Sequence, residues 1–345
     1  MGNARTRVRY TKVCIADVAY VVPDTVITTA SLEQSLAELY RRLGIAPGTI
    51  QALTGIASRR FWDAGVQPSD AATLASETLL ARTGFPRERI EALVSTSVCK
   101  DYLEPSTASL VHGNLGLGEH CLNFDMGNAC LGFLTGIATV ANLIELGQIE
   151  AGLVVAGEGS RTVTESTVER LQRPGVSFEA YRDNLATLTL GSGATAMLLV
   201  HERHTGGQHR LLGGIAGAAT EFNRLCVGTA TSMKTDPAKL LREGVALAGR
   251  TWERTKAELN IDTADVAEFA LHQVGKANHD SVVQNLRIPP NRALRVYPEL
   301  GNMGAAGVPL TLARGLEAGR VQPGQLTMLM GIGSGLNCQM MAVRW

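Results

Sequence analysis

The stretch FDMGNACLGF, residues 124–133, places a cysteine where a short apolar run meets a long, weakly polar segment. The run 121–126 reads as a buried strand, and the segment after Cys130 carries no charge until Glu145, which is typical of a buried helix. A thiol at a helix N-terminus faces unpaired N–H groups and the positive end of the helix dipole, which favour the thiolate. The same N–H groups can bind an oxyanion on a thioester carbonyl. The pattern predicts either a nucleophilic Cys130 or a buried structural cysteine.

Three further side chains lie in turns of the kind that often hold functional residues in α/β proteins. His272 stands near the end of the strand-like run EFALHQV, and the carboxyl ends of strands form the binding edge of such sheets. Asn302 lies in the turn GNMG between a strand-like run and a helical pattern. Glu104 lies in KDYLEPSTAS, just before a Ser-Thr pair that can cap the helix beginning there. Each has an ordinary alternative, namely a core histidine, a left-handed turn asparagine and a solvated glutamate.

Two other motifs do not indicate a site. His201, His204 and His209 flank a Gly-Gly turn between two strand-like runs, which predicts an exposed hairpin rather than a metal centre. GIGSG, residues 331–335, resembles a nucleotide-binding loop, but only ten residues follow it and they read as a strand. The six cysteines include no C-x-x-C pair, so the sequence indicates neither a zinc site nor a disulfide framework.

The elements that must position these residues alternate between strand and helix along the whole chain. Strand-like runs are 13–22, 91–98, 121–126, 151–157 and 193–200, followed by HRLLGGIAGAA, EFALHQV, ALRVYP, LTMLMGIG and LNCQMMAVRW. Helical patterns cover 31–44, 69–84, 130–146, 235–260, 276–287 and 304–319. Alternation of this kind predicts parallel sheets with helices on their faces.

The second half of the chain repeats the first. In each half a strand-like run passes through a Gly-Asn pair, at 127–128 and at 301–302, into a helix of small and apolar residues. We therefore predict a duplicated α/β fold, with one half over residues 1–205 and the other over 206–345. The more polar stretch 160–187 reads as an insertion in the first half.

Composition argues against several classes of protein. The 32 basic and 32 acidic residues balance without a charged block, so no nucleic-acid or anionic-membrane partner is expected. The uncharged segment 130–144 is shorter than the ~20 residues of a membrane-spanning helix. The first ten residues hold no apolar signal region, and their match to the myristoylation spacing M-G-x-x-x-[ST] is loose. A cytoplasmic location is expected.

Together these motifs resemble the thiolase superfamily, and within it the ketosynthase III-like condensing enzymes. The resemblance covers essentially the whole chain and rests on GNACLGF with Cys130, HQ at His272–Gln273, GNMGAAG with Asn302 and the terminal GIGSGLN. LEPSTAS and LHQV make it most similar to the OleA branch, which joins two fatty acyl-CoA molecules head to head in long-chain olefin biosynthesis. The resemblance implies a thiolase fold of two βαβαβαββ halves in a five-layer αβαβα arrangement.

The resemblance also implies roles for the candidate residues. Cys130 would be acylated, the backbone N–H groups of Cys130 and Ser334 would form the oxyanion hole, and His272 and Asn302 would bind the enolate of the second acyl-CoA. Glu104 would enter the partner subunit's site in a homodimer. A plain acyl-CoA forms its enolate by losing a C–H proton, which demands a base such as this carboxylate. The expected reaction is a non-decarboxylative Claisen condensation that yields a β-keto acid, with fatty acyl-CoA substrates and no cofactor or metal.

The sequence departs from the ketosynthase III pattern at two places. The motif H-Q-A-N reads HQVG at 272–275, and Thr49 and Leu53 stand where that branch carries the tryptophan and arginine that hold CoA. One alternative function is a decarboxylative ketosynthase III that uses a malonyl thioester. The other is a non-catalytic subunit of a heterodimer, against which the intact cysteine, histidine and asparagine argue.

Overall fold

The computed structural model describes residues 7–345, so the N-terminal myristoylation spacing lies outside the described residues. The strands are β1 (Arg7–Arg9), β2 (Val13–Val21), β3 (Thr25–Thr28), β4 (Ser58–Phe61), β5 (Ala92–Ser95), β6 (Leu122–Asp125), β7 (Ala151–Glu158), β8 (Gly193–His201), β9 (Arg210–Ala218), β10 (Cys226–Gly228), β11 (Met233–Thr235), β12 (Val266–Leu271), β13 (Leu326–Gly333) and β14 (Asn337–Arg344). The α-helices are α1 (Thr29–Ser35), α2 (Ala37–Leu43), α3 (Thr49–Thr54), α4 (Pro68–Thr83), α5 (Thr107–Asn114), α6 (Gly132–Glu145), α7 (Arg161–Leu171), α8 (Phe178–Asn184), α9 (Pro237–Leu259), α10 (Lys276–Asn285), α11 (Tyr297–Leu300) and α12 (Gly307–Glu317).

One large sheet runs through the described part of the molecule in the order β12-β13-β14-β9-β2-β8-β7-β5-β6, and β1 pairs with β9. Its two portions join where β2 meets β9, through the pair Cys14–Arg210. The pairs β5–β6, β5–β7 and β12–β13 are parallel, while β7–β8 and β13–β14 are antiparallel. The sheet is therefore mixed. The predicted boundary at residue 205 falls in the turn between β8 and β9, and the division into two domains stays a prediction.

Helices cover both portions of the sheet and fill the space between them. The central core contains α6 and α12, both of which contact strands of the two portions. Separate cores lie beneath α4 and α5 on one side and beneath α9 and α10 on the other. The alternation of helices and sheet in five layers confirms the predicted fold class. None of the described helices is long and apolar enough to cross a membrane.

The run ALRVYP was predicted to be a strand, and this prediction is wrong. Residues 293–296 have no strand pairing, and α11 follows them. Side chains of the neighbouring strand region bind their backbone instead. The N–H group of Leu294 donates to Glu268 (2.8 Å), that of Val296 donates to Gln273 (2.9 Å), and Gln273 donates to the carbonyl of Leu294 (2.7 Å). Because these contacts satisfy the segment's polar groups, it can lie along β12 without joining the sheet.

The helix α6 approaches the sheet closely through a glycine. A Cβ atom at Gly132 would lie 2.5 Å from the carbonyl oxygen of Thr96, just beyond β5. Gly132→Ala should therefore lower the free energy of unfolding by about 1–3 kcal/mol, because the helix must move away from the sheet. Urea unfolding measures this change. The control is Gly113→Ala in α5, where nothing lies within 4 Å, and an equal loss there would contradict the close approach.

Candidate active site

Cys130 lies in a tight turn between β6 and α6. Residues 129–131 form one turn of 3₁₀ helix, and Ala129 has the left-handed φ of +45°, which costs a non-glycine residue about 1–2 kcal/mol. The turn is held by side chains: Asn128 donates to Thr135 (2.9 Å) and accepts from Asn337 (3.0 Å). Cys130 thus lies in a strained turn just before the regular helix α6, and such strain is common at functional sites.

The Cys130 thiol is protonated in the free protein. Burial raises its pKa to about 12, and the negative charge of Glu158 and the neighbouring Cys226 act in the same direction. The prediction that the helix end would favour a thiolate is wrong for this state, because burial outweighs the local N–H groups. Cys130 must therefore lose its proton as it attacks a substrate.

His272 follows β12 and extends its pairing with β13, since its N–H group donates to the carbonyl of Met330 (2.8 Å). The ring packs against the start of α12, where a Cβ atom at Gly307 would lie 3.4 Å from Nδ1. Nδ1 has no hydrogen-bond partner among the described residues. Burial lowers the pKa of His272 to about 4, so the ring is neutral at physiological pH. A neutral imidazole can accept a proton from a thiol or donate an N–H to a carbonyl oxygen.

Hydrogen bonds fix the backbone and the side-chain oxygen of Asn302, and its side-chain NH₂ group has no partner among the described residues. Its backbone N–H group donates to Thr189 and its carbonyl accepts from Gly191, each at 2.8 Å. Its Oδ1 accepts from the N–H group of Gly304 (3.1 Å), which leaves Nδ2 without a partner among the described residues. Although Asn302 is only 8% exposed, its Nδ2 is available to donate to a bound oxygen.

The elements that carry these residues meet at one place. The turn 129–131 contacts both the turn Gly304–Ala306 and β13. Ser334, the other proposed oxyanion donor, directly follows β13. Burial dominates the pKa of both Cys130 and His272, yet each keeps some accessible surface. Both side chains are therefore partly accessible, although they lie deep in the molecule.

Glu104 lies outside this cluster, at the tip of a surface loop. Tyr102, Leu103, Glu104 and Pro105 are all exposed, and Leu103 is fully so. Within the described chain Glu104 has no hydrogen-bond or ion-pair partner.

The base of this loop is rigid. Asp101 accepts from Ser69 Oγ (2.5 Å), and Lys100 pairs with Asp125 (2.5 Å). Asp125 also accepts from the N–H groups of Thr107 and Ala108 at the start of α5. A rigid base with an exposed apolar tip is the form expected of a segment that enters another molecule.

Two buried polar residues near the site have functions that were not predicted. Gln273, in the HQ motif, holds segment 293–296 as described above. Glu158 is the last residue of β7 and is only 4% exposed. It accepts hydrogen bonds from N–H groups of two separate loops. The available signal was a carboxylate at the end of the otherwise apolar and small run AGLVVAGE, because such a group is rarely buried without a role.

The histidines near residue 205 stand apart from the site. They flank the turn between β8 and β9, where His204 lies 3.3 Å from Glu150. Within residues 7–345, no group of three or more His, Cys, Asp and Glu side chains is arranged to hold a metal ion.

Comparison with known proteins agrees with the geometry. Residues 124–213 match the family 3-oxoacyl-[acyl-carrier-protein] synthase III, and residues 257–345 match its C-terminal part. Acyl-CoA:acyl-CoA alkyltransferase from Xanthomonas campestris pv. campestris is 41% identical over 97% of this chain and 99% of that protein. Beta-ketoacyl-[acyl-carrier-protein] synthase III of Bordetella petrii is more distant, at 25% identity over 97% of each chain.

One solved structure is similar to this chain along its whole length. The cysteine-to-serine variant of Xanthomonas campestris OleA, with bound lauric acid and lauroyl-CoA, is 40% identical and superposes with a TM-score of 0.95. The match covers 97% of this chain and 100% of that one. With this identity over nearly its whole length, the chain belongs to the OleA family of thiolase-fold acyltransferases.

Proposed function

We propose that the protein condenses two fatty acyl-CoA molecules without decarboxylation and that the product leaves as a β-keto acid. The observation that carries this proposal is the match along nearly the whole chain to an acyl-CoA:acyl-CoA alkyltransferase. The related OleA structure with lauroyl-CoA supports a fatty acyl-CoA as the substrate class.

In the first step Cys130 attacks the thioester carbonyl of one acyl-CoA. The thiol proton passes to neutral His272, CoA leaves and takes up that proton, and an acyl-Cys130 thioester forms. The backbone N–H groups of Cys130 and Ser334 bind the oxyanion while it exists. The protonated thiol of the free protein makes this proton transfer part of the attack.

In the second step the other acyl-CoA binds with its thioester oxygen between His272 and the free Nδ2 of Asn302. Glu104 of the partner subunit removes the α-proton, and the two donors stabilise the enolate. The enolate carbon attacks the acyl-Cys130 carbonyl and releases the cysteine thiolate, and the proton that Glu104 took up restores the Cys130 thiol. The product is a 2-alkyl-3-ketoacyl-CoA, and hydrolysis of its thioester gives the β-keto acid and CoA.

The working unit is proposed to be a homodimer. β6 is an edge strand of the sheet, and Leu122 at its start is exposed. The Glu104 loop leads into α5, which packs against β6, and its tip exposes Tyr102 and Leu103. Pairing through this edge would cover the exposed backbone groups and place each loop against the other subunit.

The proposed chemistry consists of thioester exchange, proton transfer, carbon–carbon bond formation and thioester hydrolysis, so it assigns no cofactor or metal. CoA thioesters are intracellular metabolites, which supports a cytoplasmic location.

Incubation with one saturated acyl-CoA tests the function. The purified protein should convert myristoyl-CoA alone into a β-keto acid, which mass spectrometry detects directly or as the ketone formed by loss of CO₂. A product that appears only with a malonyl thioester would establish the decarboxylative reaction instead. No product from either donor, in a protein proven to be folded, would favour the non-catalytic subunit.

Removal of either enolate donor should slow condensation. His272→Ala and Asn302→Ala are each expected to lower the rate by about 10²–10³, the usual loss for one oxyanion donor. Asn302→Ala should still load the acyl group on Cys130, because Asn302 acts only in the second step. Quenched reactions analysed by mass spectrometry measure loading and condensation separately. An equal loss of both in Asn302→Ala would rule out this division of roles.

A further inference from the structure

Glu158 holds two segments of the active site with one buried carboxylate. Its Oε1 accepts N–H groups from Val98 (2.9 Å) and Ala305 (3.1 Å), and its Oε2 accepts from Cys99 (3.2 Å). No cationic side chain in residues 7–345 pairs with it. Burial raises the pKa of the Glu158 carboxyl, while the three N–H groups and the Cys99 thiol act to lower it.

The two segments are those that carry the enolate donor and the proposed base. Val98 and Cys99 begin the loop that leads to Glu104. Ala305 lies three residues after Asn302, in the turn that contacts the turn of Cys130. The fit is close, because a Cβ atom at Gly304 would lie 3.1 Å from the Glu158 carboxyl carbon.

We propose that Glu158 is a positioning residue of the condensation, which fixes the Asn302 turn and the Glu104 loop relative to Cys130. This inference rests on the proposed function and adds a residue that does not itself react with the substrates. Its value to the reaction is geometric, since a misplacement of about 1 Å in a reacting group can cost about 10²-fold in rate.

The groups that titrate near Cys130 are few. Glu158 and Cys226 both act to raise the pKa of the thiol, and His272 is neutral at physiological pH. Cys99 lies against Glu158, and burial and that carboxylate raise its pKa as well, so it stays a thiol. Burial raises the pKa of Glu158 itself, so its charge is expected to affect the titration of Cys130 at the alkaline pH where both groups are ionised.

Two substitutions test separately the charge of Glu158 and the length of its side chain. Glu158→Gln removes the charge and leaves at least one of the three N–H groups facing an amide NH₂. Glu158→Asp keeps the charge but is one methylene too short to bind both segments. Condensation should fall about 10- to 100-fold in both variants. The pH profile of Cys130 alkylation by iodoacetamide, followed on the Cys130 peptide, should move to lower pH only in Glu158→Gln.

Wild-type protein provides a measurement that does not depend on the variants folding. The N–H groups of Val98, Cys99 and Ala305 lie outside regular secondary-structure pairing, and Glu158 is their acceptor. They should exchange slowly with deuterium although Val98 is at the surface.

Rapid exchange at these three amides would overturn the proposal. Wild-type condensation by Glu158→Gln would also overturn it, and so would equal shifts of the alkylation profile in the two variants. If wild-type protein fails to condense acyl-CoA, the proposed function fails, while exchange and alkylation still test the position and charge of Glu158.

Discussion

Cys130→Ser should abolish condensation and leave the fold intact. The side chains are nearly equal in size, but a serine hydroxyl is far less nucleophilic than a thiol that loses its proton on attack. The rate should fall below about 10⁻³ of the wild-type value, since losing a covalent nucleophile usually costs at least this much. Wild-type protein incubated with lauroyl-CoA should gain one acyl group on the peptide that contains Cys130. Mass spectrometry of the intact protein and its peptides measures both results.

Cys226→Ser is the matched control. Cys226 is half-buried and close enough to Cys130 to affect its pKa, yet it is not expected to carry substrate. This variant should keep both the adduct on Cys130 and the condensation activity. An acyl group found on Cys226, Cys121 or Cys99 in wild-type protein would contradict the assignment of the nucleophile.

The Glu104→Gln variant should still load an acyl group on Cys130, but the condensation step should not follow. The amide is nearly isosteric with the carboxylate and keeps its hydrogen bonding, but it cannot accept the α-proton of the second acyl-CoA. Condensation should fall about 10²–10⁴-fold, the usual contribution of a general base. Exchange of the α-protons of a non-condensing acyl-CoA analogue into D₂O, followed by NMR, should be lost as well. Full activity of this variant would refute the base and favour the decarboxylative reaction.

Mixed dimers test whether Glu104 acts across the interface. A Glu104→Gln chain and a Cys130→Ser chain are each inactive alone, but their mixed dimer contains one site with both native residues. That site combines the Cys130 of one chain with the Glu104 of the other. Activity should therefore return when the two chains are unfolded together and refolded. No recovery in dimers shown by mass to be mixed would contradict the cross-subunit position.

The turns that carry Cys130 and Asn302 were predictable because their signals are local. Each is a glycine-containing turn that leads into a helix of small and apolar residues, and the structure places both turns in contact. His272 was predictable for a similar reason, since it follows a strand whose end faces the site. Local pattern was enough to propose these residues, and their chemical roles stay predictions.

Features that depend on distant residues were not predictable. The run ALRVYP has the composition of a strand, but Glu268 and Gln273 bind its backbone from outside the run. The helix end near Cys130 favours a thiolate, but burial and Glu158 raise the pKa of the thiol. In both cases a local preference is outweighed by a group that the fold brings close, and sequence spacing does not reveal that group.

A protonated Cys130 also bears on how the free protein survives oxidants. Peroxide forms sulfenic acid from the thiolate, and further oxidation is irreversible. Since burial and a nearby carboxylate keep the sulfur as a thiol until substrate arrives, the resting protein presents little of the form that peroxide attacks. The same electrostatics that make proton transfer part of catalysis thus protect the nucleophile between turnovers.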